Sequence, residues 1–272
     1  MEPWLIDSSL PSQSLTDREV IQFSHADREV RMVPDANVLK LGGQSIMDRG
    51  RATVYPLLEE IVRNKPRHRM VLGVGGGTRS RHAYQIAMDL DMPTGLIAKM
   101  GAAVSRQNAR MLHMLLAKHG GVHLVEEQFE LIPLFLAAGC LPILHGMPPY
   151  EYWERPPMGG RIPDHRTDVG VFLVGEALGA RSVIFIKDED GLYTADPKKN
   201  PRVEFIPKIS AQELMRLDFH DLAIERRVVE LMPAARHIKQ VQIINGLKPG
   251  TLTRALDGEH VGTIIHDENG QA

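Results

Sequence analysis

Strands that alternate with helices along most of the chain predict a three-layer αβα sandwich with a mostly parallel central sheet. Three observations carry this prediction. Short aliphatic or β-branched runs, such as Val38-Leu39-Lys40-Leu41 and residues 181–186, recur between stretches of helical apolar spacing. Two early runs empty into glycines, Gly42-Gly43 and Gly75-Gly76-Gly77, where a strand turning into a helix needs backbone freedom. The chain has 272 residues, 43% of them hydrophobic, which suffices for one large α/β core. Parallel strands joined by helices require right-handed crossovers, so helices should cover both faces of the sheet.

Residues 1–34 are polar and lack apolar periodicity, which predicts an N-terminal arm ahead of a domain spanning 35–272. A strand over 38–41 should lead into a helix over 51–63, with Val54, Leu57, Leu58, Ile61 and Val62 on its buried face. A second strand over 70–74 precedes helices over 79–90 and 103–119, the latter stopped by Gly120-Gly121. A strand over 122–125, a short helix over 128–138 with Pro133 near its start, and a strand over 141–144 follow. An insert over about 146–166, rich in proline and carrying Tyr150, Tyr152 and Trp153, breaks the pattern; a loop of that length is usually functional or an oligomer contact. Thr167-Asp168 should open a helix to about 178, with either side chain able to cap its first turn. The strand over 181–186 delivers the polar stretch 187–197. Ser210-Ala211-Gln212-Glu213 reads as a capping box before a short helix. A helix over 225–237, a strand over 241–244, a helix over 251–256 and a last strand within 258–265 complete the domain.

Composition excludes some partners. The net charge of −2 and pI near 6.6 provide no basic field to attract nucleic acid or an anionic membrane, and neither is expected as a partner. The single cysteine, Cys140, sits in the apolar context Ala137-Ala138-Gly139-Cys140-Leu141 and is expected to be a buried thiol in a reducing compartment. No stretch of about 18 apolar residues and no leader pattern at Met1-Glu2-Pro3-Trp4 is present, so a soluble, cytoplasmic protein is expected.

The chemical signals cluster at strand ends. Gly75-Gly76-Gly77, followed by a helix opening with Thr78, reads as a cradle for a phosphate or another oxyanion; a tight turn that binds nothing is the alternative. It matches neither dinucleotide fingerprint nor P-loop, since Thr78 stands where the first needs glycine and no G-K-[ST] follows. Lys40 beside Gly42-Gly43 is placed to neutralise a transferring phosphoryl group, or else is a solvated lysine. Arg81, one turn into the next helix, is a better anion clamp than Arg79. Asp188 and Asp190 can hold Mg²⁺ or form a polar turn, and Tyr193, Asp196 and Pro197 can frame an adenine or make a β-turn. No Ser/His/Asp order, zinc motif or cysteine pair suggests a hydrolase or zinc site.

Taken jointly, Lys40-Leu41-Gly42-Gly43, Gly75-Gly76-Gly77 with Arg81, Thr167-Asp168, Asp190-Gly191-Leu192-Tyr193-Thr194-Ala195-Asp196-Pro197 and Gly258-Glu259-His260-Val261-Gly262-Thr263 resemble the amino acid kinase superfamily, nearest its uridylate kinase branch. That resemblance implies ATP on the first glycine loop and on the Tyr193–Pro197 segment, with Mg²⁺ on the ATP phosphates and the triple glycine facing the phosphoryl acceptor. It further implies that Lys40 stabilises the transferring phosphoryl and that Asp168 organises the site. Three positions depart from the uridylate kinase pattern: Thr78 replaces its asparagine, Ala98 an acid for the nucleotide ribose, and Asp188 a lysine, with Lys187 one position earlier.

The insert, from Gly146-Met147-Pro148-Pro149-Tyr150 to Arg161-Ile162-Pro163-Asp164-His165-Arg166-Thr167-Asp168, together with Val241-Gln242-Ile243-Ile244-Asn245-Gly246-Leu247-Lys248-Pro249-Gly250, closely resembles molybdenum storage protein subunits, the β type more than the α type. This implies a cage of kinase-fold subunits, α3β3-like, built with a homologous storage subunit. Such a cage gathers molybdate or tungstate as polynuclear oxide clusters and uses ATP. Glu126, His145, Glu151 and His165 are the oxometalate candidates, because they lie after strands or in the insert, where inner-wall residues are expected.

Overall fold

The computed structural model describes residues 30–147, 160–200 and 202–268. Most of the expected arm over 1–34, most of the insert and the candidate Glu151 therefore lie outside the described residues.

The domain is built on an eight-stranded sheet. In chain order its strands are β1 (Ala36–Leu41), β2 (Arg69–Val74), β3 (Gly121–His123), β4 (Leu141–His145), β5 (Ser182–Lys187), β8 (Lys208–Ser210), β9 (Gln240–Asn245) and β10 (Thr263–His266). A two-stranded ribbon of β6 (Leu192–Tyr193) and β7 (Phe205–Ile206) stands apart. The spatial order is β3-β4-β2-β1-β5-β9-β10-β8, parallel throughout except where β10 meets β9. All six residues of β1 are buried, as expected of a central parallel strand covered on both faces.

Two apolar clusters, one per face, make the layers. On one face Val38, Val71, Val183 and Phe185 pack under α5 (Thr167–Ala177), with α4 (Ile132–Ala137), α6 (Ala211–Leu217) and α7 (Arg226–Leu231) beside it. On the other, Leu39, Leu41, Leu72, Val74, Ile184 and Ile186 pack against α1 (Arg51–Asn64), α3 (Thr94–Leu116) and α8 (Thr251–Leu256), while α2 (Thr78–Asp89) lies on α3. The predicted three-layer αβα sandwich is the observed fold.

The departures from the expected elements have local causes. Helix α3 begins at Thr94, well before Ala103; apart from Ile97 its buried residues there are Gly95, Ala98, Gly101, Ala102 and Ser105, small side chains that leave little apolar periodicity to read. The helix expected over 225–237 ends at Leu231 and continues only as the 3₁₀ turn Met232–Ala234, where Pro233 lacks the N–H that an α-helix needs. Residues 126–131 form 3₁₀ turns ahead of α4. The last strand is confined to Thr263–His266. Cys140 is half-exposed and not buried, because it sits in the turn that follows Gly139 rather than in β4. Among the described residues no helix is long and apolar enough to cross a membrane.

Helix α5 lies very close to the sheet. A Cβ on Gly73 of β2 would come within 2.3 Å of Val171 Cγ2, so the bare backbone there is what lets α5 descend. Gly73→Val is expected to lower stability by about 1–3 kcal/mol through overpacking, read as a reduced urea midpoint with an unchanged m-value.

Candidate functional site

The parallel strands point their C-terminal ends the same way, and the loops that leave them line one cavity of about 820 Å³. This volume falls within the usual range for small-molecule sites, about 300–1,000 Å³. Its wall includes Lys40, Gly42, Gly43, Gly75, Gly76, Gly77, Arg81, Asp168, Lys187, Asp188, Tyr193, Asp196 and Pro197. The candidates for nucleotide and phosphoryl chemistry are thus brought to one cleft, Asp190 and Arg79 excepted.

At its base lies a buried charge cluster. Lys40 pairs with Gly73 and Phe185 across the sheet, and the same register sets Lys187 beyond Ile186, opposite residue 42. Residues 40 and 42 share a face, so both lysines rise toward α5. There Asp168 takes Lys40 Nζ at 2.5 Å on Oδ1 and Lys187 Nζ at 2.8 Å on Oδ2. Burial alone would raise the Asp168 pKa; the charges of Lys187 and Lys40 outweigh it and hold the carboxyl well below the usual carboxylate range. Burial lowers Lys187 to about 8, although Asp168 pulls the other way.

Asp168 does not cap its own helix, and neither does Thr167. The N-cap position is Arg166, without a side-chain cap. The free N–H groups of Arg166, Asp168 and Val169 instead donate to the carboxylate of Glu225, at 3.2, 3.1 and 3.3 Å. The Glu225 N–H in turn donates to Asp168 Oδ2 at 3.2 Å. Burial and the neighbouring Asp168 charge push Glu225 above the usual carboxylate range. No sequence signal linked Glu225 to a residue so distant in the chain.

The roof is built from backbone. A Cβ on Gly43 would stand 2.1 Å from Gly77 N, so the two glycine loops touch main chain to main chain. Asn108 Nδ2 on α3 donates to Gly75 O at 2.6 Å and fixes the triple glycine from outside the cleft. Arg79 points away, to Gln107 at 3.2 Å and to Asn108, leaving Arg81 to line the cavity. Tyr84, also in the wall, has its hydroxyl pushed up to about 12, chiefly by burial.

The acids expected to hold Mg²⁺ or to turn are held by cations. Asp188 Oδ2 accepts from Arg49 at 2.6 Å and Lys198 at 2.7 Å. Asp190 is bound by Lys248 at 2.6 Å and Asn245 at 2.9 Å and does not line the cavity. Asp196 accepts the Lys198 N–H at 2.9 Å, making the turn that presents Pro197, and Tyr193 packs edge-on against Phe205. Arg49 and Lys198 were not singled out in the sequence, although Lys198 directly follows the Asp196-Pro197 signature. Ala98, expected to stand where uridylate kinases carry an acid, is fully buried against Ala102 and Met147 and is no part of the wall.

The oxometalate candidates are not gathered at the cleft. His145 Nε2 lies 2.8 Å from Glu126 Oε1, and Arg106 donates to the same carboxylate at 2.7 Å. The His145 hydrogen bond is the main reason Glu126 falls to about 2. His123 is lowered by burial first and then by Arg110 and His113. His165 Nε2 accepts from Arg227 Nε at 3.3 Å, and Glu151 is outside the described residues. Among the described residues no three His, Cys, Asp or Glu side chains form a group that could hold a metal ion.

A mostly parallel αβα fold with a lysine–aspartate–lysine base under paired glycine loops is the arrangement of one kinase-fold family. The chain belongs to the amino acid kinase family, whose model matches residues 35–245. It is 48% identical over 260 residues to the molybdenum storage protein subunit beta of Azotobacter vinelandii, covering 96% of each chain. It is also 30% identical over 241 residues to the uridylate kinase of Thermofilum pendens, covering 84% of this chain and 96% of that one. Among solved structures, the uridylate kinase of Archaeoglobus fulgidus superposes with a TM-score of 0.65 over 85% of this chain and 99% of that one, at 22% identity, which supports the fold.

Asp168→Asn removes the carboxylate that both lysines bind and should destabilise the domain by about 3–5 kcal/mol in urea unfolding at pH 7. Glu126→Gln tests the depressed carboxyl. The stabilisation Glu126 supplies is present above the unfolded carboxylate value, about 4.3, and is lost as pH falls toward about 2, so the urea midpoints of wild type and variant should converge over that window.

Proposed function

We propose that the cleft binds ATP with Mg²⁺ and that the chain is a storage subunit for molybdate or tungstate. The observation that carries the nucleotide reading is the Lys40–Asp168–Lys187 cluster at the base of a cleft walled by two glycine loops. It sets two lysine ammonium groups beside glycine backbone in the wall of one cleft, which suits a polyphosphate. In this reading Gly42 and Gly43 hold the ATP phosphates, Gly75, Gly76, Gly77 and Arg81 face the acceptor side of the γ-phosphoryl, and Tyr193, Asp196 and Pro197 frame the base. Lys40 and Lys187 neutralise charge on the γ-phosphoryl, and Asp168 holds both ammonium groups in position. Mg²⁺ would enter with the ATP phosphates and would supply further charge neutralisation there; Asp168 and Asp188, each already paired with two cations, are not free to hold it.

The storage reading is supported by the likeness to the storage protein β subunit over nearly the whole chain. By it, subunits of this chain and a homologous partner assemble into a hexameric, α3β3-like cage in the cytoplasm. ATP binding or hydrolysis then drives oxyanions into polynuclear oxide clusters, with Glu126, His145, Glu151 and His165 as the candidate cluster ligands. A second reading, a small-molecule kinase acting on UMP or an amino-acid carboxylate, is supported by the uridylate kinase relatives. It is weakened by Ala98, which offers the acceptor ribose no polar group.

Metal analysis separates them. Protein produced with excess molybdate and ATP should retain at least about one molybdenum per subunit, and Lys40→Ala should abolish ATP-dependent loading; UMP-dependent ADP production would favour the kinase instead. ATP affinity should also fall as pH rises through about 8, because the polyanion prefers the protonated Lys187. Calorimetric titrations at pH 7 and pH 9 check this.

A further inference from the structure

The triple-glycine loop has a tenant from its own chain. Thr78, the first residue of α2, donates its N–H to Asp48 Oδ2 at 2.6 Å. Gly77, the N-cap, has a φ of 73°, a conformation open to glycine, and supplies no side-chain cap. A Cβ built there would lie 2.4 Å from Asp48 Oδ2 and 2.6 Å from Oδ1, so the carboxylate lies over the glycine with both oxygens against it. Helix α2 carries no acidic residue in its own first turn, and Asp48 supplies the missing negative charge from the 3₁₀ turn Met47–Arg49. That turn is tied to the other glycine loop by the Asp48 N–H, which donates to Gly43 O at 2.9 Å. Asp48 forms no ion pair among the described residues; the neighbouring Arg49 is turned to Asp188.

We infer that Asp48 is a specificity-determining residue: it occupies, as an internal carboxylate, the oxyanion position of the triple-glycine loop, and so closes the acceptor end of the cleft to phosphate, molybdate or a nucleotide monophosphate. The inference rests on the reading that the lysine end of the same cleft takes ATP. Asp48 and Arg81 share the cavity wall, so an arriving dianion would find one guanidinium and, beside the helix end it needs, a fixed negative charge. Like charges in contact disfavour binding. Water, being neutral, is the acceptor that Asp48 tolerates. With water, the bond from γ-phosphorus to the ADP oxygen breaks as the water oxygen bonds to phosphorus, giving ADP, inorganic phosphate and a proton. Stored oxyanions accordingly enter the assembly elsewhere than through this loop.

The test compares full-length wild type with Asp48→Asn, which keeps an amide oxygen to accept the Thr78 N–H but removes the charge. Inorganic phosphate, molybdate and UMP are titrated calorimetrically into each, with unfolding midpoints checking the fold. Asp48→Asn should bind all three at least about tenfold more tightly than wild type, and the gain should vanish in the double variant Asp48→Asn with Arg81→Ala. Equal affinity in wild type and Asp48→Asn overturns the inference, and so does a gain that survives loss of Arg81. ADP·Mg²⁺ titrated into wild type alone reports on the nucleotide reading: its failure to bind would remove that reading while the phosphate comparison still decides the role of Asp48.

Discussion

The site depends on one buried carboxylate held between two buried ammonium groups. Removing charges from water is unfavourable unless each finds a partner, and Asp168 serves both lysines with its two oxygens. The surroundings follow from that need. Helix α5 must come down far enough for Asp168 to reach strand ends, which Gly73 permits. Its N-terminus must be satisfied without using Asp168, which Glu225 achieves by taking three backbone N–H groups. With both carboxyls ionised, the two lysines and two acids sum to zero, so the cluster can be buried as a set while each lysine still faces the cleft.

Periodicity made most of the fold legible. Val38 to Leu41, residues 70–74 and residues 181–186 are apolar runs bounded by glycine or polar residues, and they became the adjacent strands β2, β1 and β5. What periodicity missed was structure made mostly of small residues: the first turns of α3 bury glycine, alanine and serine beside the single Ile97, too little for a hydrophobic stripe. The site divided the same way. Lys40, Asp168, Lys187 and Arg81 sit next to strand ends or glycines and could be read locally. Glu225 and Asp48 act on helix ends far away in the chain, so nothing in their own neighbourhoods announced them. The sequence could offer Asp168 as a cap; only the packed structure assigns that duty to Glu225 and frees Asp168 for the lysines.

The far side of the cleft is electrostatically busy in another manner. Asp188 and Asp190, adjacent but for one residue, are divided between separate cations, Arg49 with Lys198 and Lys248. Because Arg49 comes from the loop after β1 and Asp188 from the loop after β5, their pairing joins two walls of the cleft through exposed groups, where salt and ligands can compete with it. The base of the cleft is thus fixed by buried charge and its rim by exchangeable charge.

The contact between Gly43 and Gly77 carries a different implication, for how such a cleft can change its cargo. A surface made of main chain against main chain presents the same amides whatever the rest of the sequence becomes, and it offers no side chain for mutation to reshape. Any change in what this cleft binds therefore has to be written at the margin, in residues such as Asp48 and Thr78, while the contact of Gly43 with Gly77 sets the floor plan.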